Sequence, residues 1–311
     1  MSDNQLTKKG ESPWRLGIRK FLMNPLARYA ALVLLTISLI VLMAPVFPNY
    51  NPDELSSDIF SPPTMDHWLG TDNHGRDLWS RIIYGTRISL SIGIIGAFVS
   101  FFIGTTWGIS SAYSGGKIDK IMMRTVDILY SLPSIIFVIV LLTTLKEILS
   151  ASILSQWIGS NESTLHFILL FAGIGAVSWL TLARIVRGQV IALKNQPFLE
   201  SCHSLGLGPY HIVTKHILPN LFGIIITYVM LTIPSVILYE SFLSFLGLGI
   251  ESPMASLGSL ISKGVPQINP IKIYWWLITF PTMFLAVLLI SLNLVGEGLR
   301  DAFDPKSSQS K

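Results

Sequence analysis

The sequence predicts an all-α membrane protein with six transmembrane helices. Half of its 311 residues are hydrophobic and only 13% are charged, where an ordinary soluble domain carries about 25% charged residues. Six stretches with few or no charges reach the roughly 17–25 apolar residues that a bilayer requires. No series of segments alternates with period two, so a membrane β-barrel is excluded.

Taken in order, the first stretch, Tyr29–Phe47, lies deep in the chain and has no small-residue cleavage site after it, so it reads as a retained span. Pro48–Met65 reads as a plain connector. In Asp77–Tyr84, Leu78, Trp79, Ile82 and Ile83 share one face while Asp77 and Arg81 stand four apart as an ion pair, the pattern of a helix lying on the outer leaflet. The second span, Ile88–Ala112, contains Gly93, Gly96, Gly104 and Gly108. The last two form a GxxxG face for close helix packing. The third, Ile128–Leu145, has Pro133 inside it, a kink signal, and the fourth is Leu165–Ala183. The fifth, Ile217–Tyr239, holds Pro219 and Pro234, and the sixth, Tyr274–Gly296, holds Pro281. Between them Ser241–Asn269, rich in Gly, Ser and Pro, reads as an outer loop or re-entrant turn, either a gate or a mere connection.

Charge sets the expected orientation. Sixteen of the 22 Lys and Arg fall in the N-terminal tail, the second and fourth connections and the C-terminal tail, and six fall on the other side. The positive-inside bias places both termini and the 184–217 connection in the cytoplasm. The pI near 9.1 is therefore a topology signal, and no nucleic-acid partner is expected. Lys8, Lys9, Arg15, Arg19 and Lys20 anchor the N-terminal tail to anionic membrane lipid.

Ionisable groups in the spans stay near the ends: Arg124, Asp127, Arg184, Glu240 and Glu297. A proton- or ion-coupled carrier, which needs such groups at mid-membrane, is disfavoured. No HExxH, GxSxG or GxxxxGK[ST] occurs; Gly115-Gly116-Lys117 lacks both the upstream glycine and the following hydroxyl residue. With no phosphate loop the chain is not an ATPase, and any energy comes from another subunit.

The polar stretch FLESCHSLGLGPYHIVTKHILPN, 198–220, holds the single cysteine and three of the six histidines. A zinc site wants paired Cys and His ligands, but only Cys202 is present, and His211 and His216, five apart, point about 140° apart on an α-helix. No metal is expected. Asn195 or Gln196 can cap a helix begun by Pro197, Glu200 complements its dipole, and Gly206 ends it in a left-handed cap. Gly208-Pro209 restarts the chain into a second short helix, Tyr210–His216, ahead of Pro219. The apolar Phe198, Leu199 and Leu205 would be exposed unless covered, which leaves two readings, a docking surface or a self-packed hairpin.

Glu200-Ser-Cys-His-Ser-Leu-Gly206, followed by Pro219, resembles the EAAxxxG…LP loop of bacterial ABC importer permeases. Ser201 and Cys202 stand where alanines are usual. Leu69–Asp77 with Arg81 and Tyr84–Leu90, and Gly296–Pro305, resemble the peptide-type members. Ser178–Gln189 and Glu240–Gly249 are closer still to the C-subunit group of oligopeptide permeases, from which Leu257, often tryptophan, departs. The resemblance covers about residues 69–305. It implies the type I ABC importer permease fold, with a tail at 1–28, a first helix at 29–47, an outer loop at 48–85, a permease core at 86–297 containing the coupling loop 195–219, and a tail at 298–311.

The resemblance also implies an importer subunit that moves oligopeptides inward, or in related machines dipeptides, nickel chelates or antimicrobial peptides; a non-transport scaffold is the distant alternative. Implied partners are a second permease of the same fold, cytoplasmic ABC ATPases, an extracytoplasmic peptide-binding protein and the peptide itself. ATP and Mg would be bound by the ATPases and no cofactor by this chain, whose place is the bacterial inner membrane. Phe198, Leu199, Glu200, Ser201, Cys202, Leu205, Gly206 and Pro219 would couple to the ATPase. Asp72, Arg76, Asp77, Arg81, Glu240, Gly247 and Gly249 are candidates for receptor contact or gating at the outer face.

Overall fold

The computed structural model describes residues 13–46, 51–150, 162–250, 254–268 and 272–303. Expectations for Phe47, Lys8, Lys9, Pro305, Lys306, Lys311 and parts of the 241–269 segment lie outside them. The described residues form α1 (Pro13–Met23), α2 (Pro25–Met43), α3 (Leu78–Val99), α4 (Thr105–Ser114), α5 (Gly116–Ser131) and α6 (Ser134–Ser150). They continue with α7 (Glu162–Lys194), α8 (Pro197–Ser204), α9 (Pro209–Ile212), α10 (Leu218–Phe245), α11 (Leu257–Gly264) and α12 (Trp276–Phe303). Among them there is no strand, only two isolated bridges, Thr71–Asp77 and Ile268–Ile273.

Five helical segments are long and apolar enough to cross a membrane: 25–46, 78–114, 168–194, 209–245 and 276–303. A sixth results if α5 and α6 count as one broken span. Helix α10 is central and packs on α3, α7, α11 and α12, while α2 lies along α12. Its inner face buries Leu221, Ile225, Ile233, Val236 and Ile237. Two of the long segments are continued through single π turns, α3 into α4 at Ser100–Gly104 and α9 into α10 at Val213–Ile217.

The third span differs from expectation. Ile128–Leu145 is not one helix; α5 and α6 meet at Leu132–Pro133 with a 92° bend. Leu132 takes an extended conformation (φ −82°, ψ 139°), because the ring of Pro133 clashes with a helical residue before it. Residues 78–84 are not a separate surface helix either. They are the first turns of α3, with Leu78, Ser80, Arg81, Ile82 and Ile83 buried against the rest of the bundle. The expected Asp77–Arg81 pair does not form. Asp77 caps α3 instead, accepting from the Ser80 backbone and hydroxyl at 2.9 Å each.

The loop before α3 is not a plain connector. Ser61 N–H donates to Thr71 Oγ1 at 2.8 Å, Thr71 hydroxyl donates to the Asp58 carbonyl, and Trp276 Nε1 donates to the Thr71 carbonyl at 3.2 Å. Phe60 stacks on Tyr274 with ring centroids 4.1 Å apart. The segment is thereby folded over the ends of α3 and α12. Nearer the N-terminus, part of the tail expected only to touch lipid forms α1 and packs on α12, with Gly17 against Phe303 and Phe21 against Gly298.

The GxxxG pair packs within the chain. A Cβ on Gly104 would lie 2.9 Å from the Trp179 carbonyl oxygen and one on Gly108 2.6 Å from that of Ala183, so α4 and α7 meet backbone to backbone. Ser100 hydroxyl donates to the Ser178 carbonyl at 3.0 Å in the same seam. Gly108→Val is expected to lower the thermal unfolding midpoint of the detergent-solubilised protein, an overpacking cost of about 1–3 kcal/mol. Gly188→Ala, in the same seam helix but with nothing within 4 Å of the added Cβ, is expected to raise it, by about 0.5–1 kcal/mol.

Candidate functional site

The polar stretch folds as a short helix set on an apolar root. Pro197 opens α8, and the Leu199 and Glu200 amides bond back to the Gln196 carbonyl at 3.0 and 3.4 Å. Glu200 lies in the first turn, where the helix N-terminus favours its charge. The helix stops in a Schellman turn: Gly206 sits at φ +74° and the Leu207 amide donates to the Cys202 carbonyl at 3.2 Å. An L residue with a side chain resists that left-handed conformation, so glycine is needed here.

Helical spacing then splits the coupling candidates. Leu199, 1% exposed, and Cys202 face inward among Val186, Val190, Ile212, Ile217 and Leu221. Phe198, Glu200, Ser201, Leu205 and Tyr210 face out, Leu205 at 78% and Tyr210 at 82% exposed. Ser201 and Ser204 spend their hydroxyls on the carbonyls of Pro197 and Glu200 at 3.0 Å, leaving Phe198, Glu200 and Leu205 as the outward-reaching groups. The chain itself covers Leu199, as the self-packed reading expected of it, and Leu199 and Cys202 form the buried root that fixes the helix.

The expected second short helix is not separate. Residues 209–245 run as one long segment through the π turn at Val213–Ile217, so α8 joins the next span directly. That turn also brings His211 and His216 together, ring centroids 6.0 Å apart, where ordinary α-geometry turns residues five apart away from each other. Among the described residues no group of three or more His, Cys, Asp or Glu could hold a metal. Pro219 stands exposed in the first turn of α10, just past the π turn, where its missing N–H removes a helical bond at least cost.

The helix leading into α8 is fastened by charges. Lys194, the last residue of α7, donates from Nζ to the carbonyls of Ala112 and Tyr113 at 3.0 and 3.1 Å, a cation on the C-terminal carbonyls of α4. Two turns back, Arg187 grips Asp119 of α5 in a bidentate pair, both contacts 2.6 Å, and Ser111 hydroxyl donates to the same carboxylate. Arg184 bonds Asp127 at 2.7 Å and its guanidinium lies 4.1 Å from the centroid of the Tyr130 ring. These residues carry topology in the sequence. Only packing showed that they tie α4, α5 and α7 together beside α8.

The remaining candidates gather at the far end of the long helices, since α10 runs about 42 Å from one group to the other. Glu240 is fully buried, and its Oε1 accepts from the hydroxyls of Ser244 and Ser256 at 2.6 and 2.5 Å. Ser256 also caps α11, accepting from the Ser259 amide at 3.1 Å, and Ser89 of α3 accepts from the Leu257 amide at 3.2 Å. Short α11 is thus pinned between α3 and α10. Gly247 takes φ +79°, and a Cβ on Gly249 would strike Ser244; the chain folds back tightly at this point. Leu257, the departure from the usual tryptophan, is wholly buried. Asp72, Arg76 and Arg81 cluster beside α11, with Arg76 bonded to Asp72 at 2.7 Å and Arg81 to Asp53 at 3.2 Å. Asp77 instead contacts His67 at 3.1 Å. The serines at 89, 256 and 259 carry no sequence signal beyond an N-cap hydroxyl before an apolar run, and the sequence reading missed them.

A family model for the inner membrane component of binding-protein-dependent transport systems matches residues 104–309. One for the N-terminal transmembrane domain of oligopeptide transport permease C matches residues 12–63. The oligopeptide transport system permease protein OppC of Haemophilus influenzae is 42% identical over 305 residues, 97% of this chain and 91% of that protein. The dipeptide transport system permease protein DppC of Bacillus subtilis is 38% identical over 292 residues, 93% of this chain and 84% of its own. Among solved structures, the inward-facing MetNI methionine ABC transporter has the same fold, with a TM-score of 0.54 at 19% identity over 72% of this chain and 97% of the matched one. With a helical bundle of this fold, a pinned short helix at one end and a rooted helix at the other, the chain belongs to the inner-membrane permease components of binding-protein-dependent transport systems, in the group that carries the oligopeptide permease C N-terminal domain.

Proposed function

We propose that this chain is one of two transmembrane subunits of an ATP-driven importer for peptides, and that α8 is the element through which separate ATPase subunits drive it. One observation carries the proposal: α8 is anchored inside by Leu199 and Cys202 while it holds Phe198, Glu200 and Leu205 outward. A helix that only packed on its own chain would have no use for two large apolar groups in water. Relatives named for oligopeptide and dipeptide transport support peptide cargo, with oligopeptides favoured by the N-terminal domain match. Dipeptides are the second reading, favoured by the 38% identity to a dipeptide permease.

In this reading the partners are a second permease of the same fold, a pair of cytoplasmic ATPases that bind ATP and Mg, and an extracytoplasmic peptide-binding protein. The chain itself holds no cofactor. ATPase closure pushes on the outer face of α8. The push passes through the Leu199–Cys202 root into α7 and α10, and through Lys194 and the Arg187–Asp119 pair into α4 and α5. The path between the permeases then changes the side to which it opens. The distribution of Lys and Arg supports an orientation with α8 and both termini in the cytoplasm.

Three outcomes follow. Glu200→Lys and Gly206→Val are each expected to abolish uptake of a radiolabelled tripeptide by cells while leaving the amount of membrane-inserted protein unchanged; uptake at the wild-type rate would end the coupling assignment. Buried Cys202 is expected to react slowly with a maleimide in the assembled transporter. Leu205→Cys, in a Cys202→Ala background, is expected to react fast and to cross-link to an ATPase subunit and not to the peptide-binding protein. Reporter fusions at either terminus are expected to signal from the cytoplasm, and a periplasmic signal would reverse the topology.

A further inference from the structure

Between α5 and α7, at the end of the bundle that carries α8, lies a cavity of about 440 Å³ lined by Lys120, Met123, Arg124, Asp127, Arg184 and Arg187. Four of these six residues are cations, and two of the four are already paired. Arg184 bonds Asp127 at 2.7 Å, and Arg187 holds both carboxylate oxygens of Asp119 at 2.6 Å. Lys120 and Arg124 are exposed and make no hydrogen bond, ion pair or ring contact among the described residues. Both carboxylates are therefore matched, and two positive charges are left over.

The surplus charge sits in one place. Lys120 and Arg124 stand four apart on α5, so they share a face, and like charges at that spacing weaken a helix slightly. An anion held between them removes that cost. On the adjoining face of α5 stand Ile118, Ile121 and Ile128, which are 56%, 69% and 55% exposed. Helix α5 packs mainly on α4 and α7, and the chain leaves this apolar stripe uncovered. Unpaired cations next to an open apolar stripe match an amphiphile with an anionic head.

We infer that the cavity binds an anionic phospholipid, with its phosphate against Lys120 and Arg124 and its acyl chains along Ile118, Ile121 and Ile128. Phosphate oxygens accept from a guanidinium fork and from an ammonium alike. A small soluble anion gains nothing from the isoleucines, and a zwitterionic lipid carries its own counter-charge. The leaflet rests on the orientation proposed above, which puts α8 and this cavity on the cytoplasmic side. Reporter fusions test that orientation separately, so an error there is distinguishable from an error in the ligand.

The test uses the complete transporter in detergent. Dihexanoyl phosphatidylglycerol is expected to raise its thermal midpoint by several degrees, and dihexanoyl phosphatidylcholine to leave it unchanged. Lys120→Gln combined with Arg124→Gln alters two exposed side chains and none of the ion pairs. The double variant is expected to keep the lipid-free midpoint and to lose at least half of the phosphatidylglycerol rise. Native mass spectrometry is expected to find fewer phosphatidylglycerol molecules retained on it than on the wild type. A full rise in the double variant puts the binding elsewhere and overturns the proposal. An equal rise with glycerol phosphate means a soluble phosphate, and an equal rise with a tripeptide means a cargo contact; either overturns it too. No rise with either lipid means that another subunit covers this face, with the same consequence.

Discussion

Hydrocarbon gives no partner to a free backbone N–H or C=O, and every departure from straight helix in this chain has to respect that. The three interruptions in its long segments do so in different ways. At Ser100–Gly104 a π turn keeps the helix hydrogen-bonded, and the Ser100 hydroxyl bonds the Ser178 carbonyl of the neighbouring helix. At Val213–Ile217 a second π turn precedes Pro219, where the ring has no N–H to offer. At Leu132–Pro133 the helix breaks outright, through 92°, between an amphipathic helix rich in charge and an apolar one. Each interruption re-aims a helix while leaving it continuous with, or tied to, its neighbour.

Rigidity at α8 comes from burial. Sealing the Leu199 side chain among Val190, Ile212 and Leu221 is worth about 1.5–3 kcal/mol, and the cost of turning the helix over would include exposing that side chain again. Charges extend the same rigid unit sideways. Bidentate Arg187–Asp119 and the Lys194 cation on the end of α4 tie α4, α5 and α7 together beside α8.

The far end uses buried polar groups for a different purpose. Glu240 and the serines at 89, 244, 256 and 259 hold an eight-residue helix that is too short to be stable alone. Their hydroxyls supply the donors and acceptors that its N-terminus lacks. Small side chains fit because Gly258 allows α11 to approach Ser241 of α10 within a distance that a Cβ would forbid.

Composition and run length were enough to identify a membrane bundle and to locate five of its spans, because hydrocarbon thickness dictates apolar length; the helices at 78–114, 168–194 and 209–245 run well past the expected Ile88–Ala112, Leu165–Ala183 and Ile217–Tyr239. Pro197, Glu200, Gly206 and Pro219 also announced a short capped helix, since capping chemistry is local. What stayed hidden was whatever depends on a second helix. Nothing in the polar stretch says what covers Leu199 until α7 and α10 are packed against it. Asp77 and Arg81 look like a pair until the loop brings His67 to one and Asp53 to the other. Proline at 133 announced a kink, but its angle was set by where α5 and α6 find neighbours. Local geometry and hydrophobic length are written in single segments of chain; burial and charge pairing belong to positions far apart in sequence, and only the folded bundle brings those together.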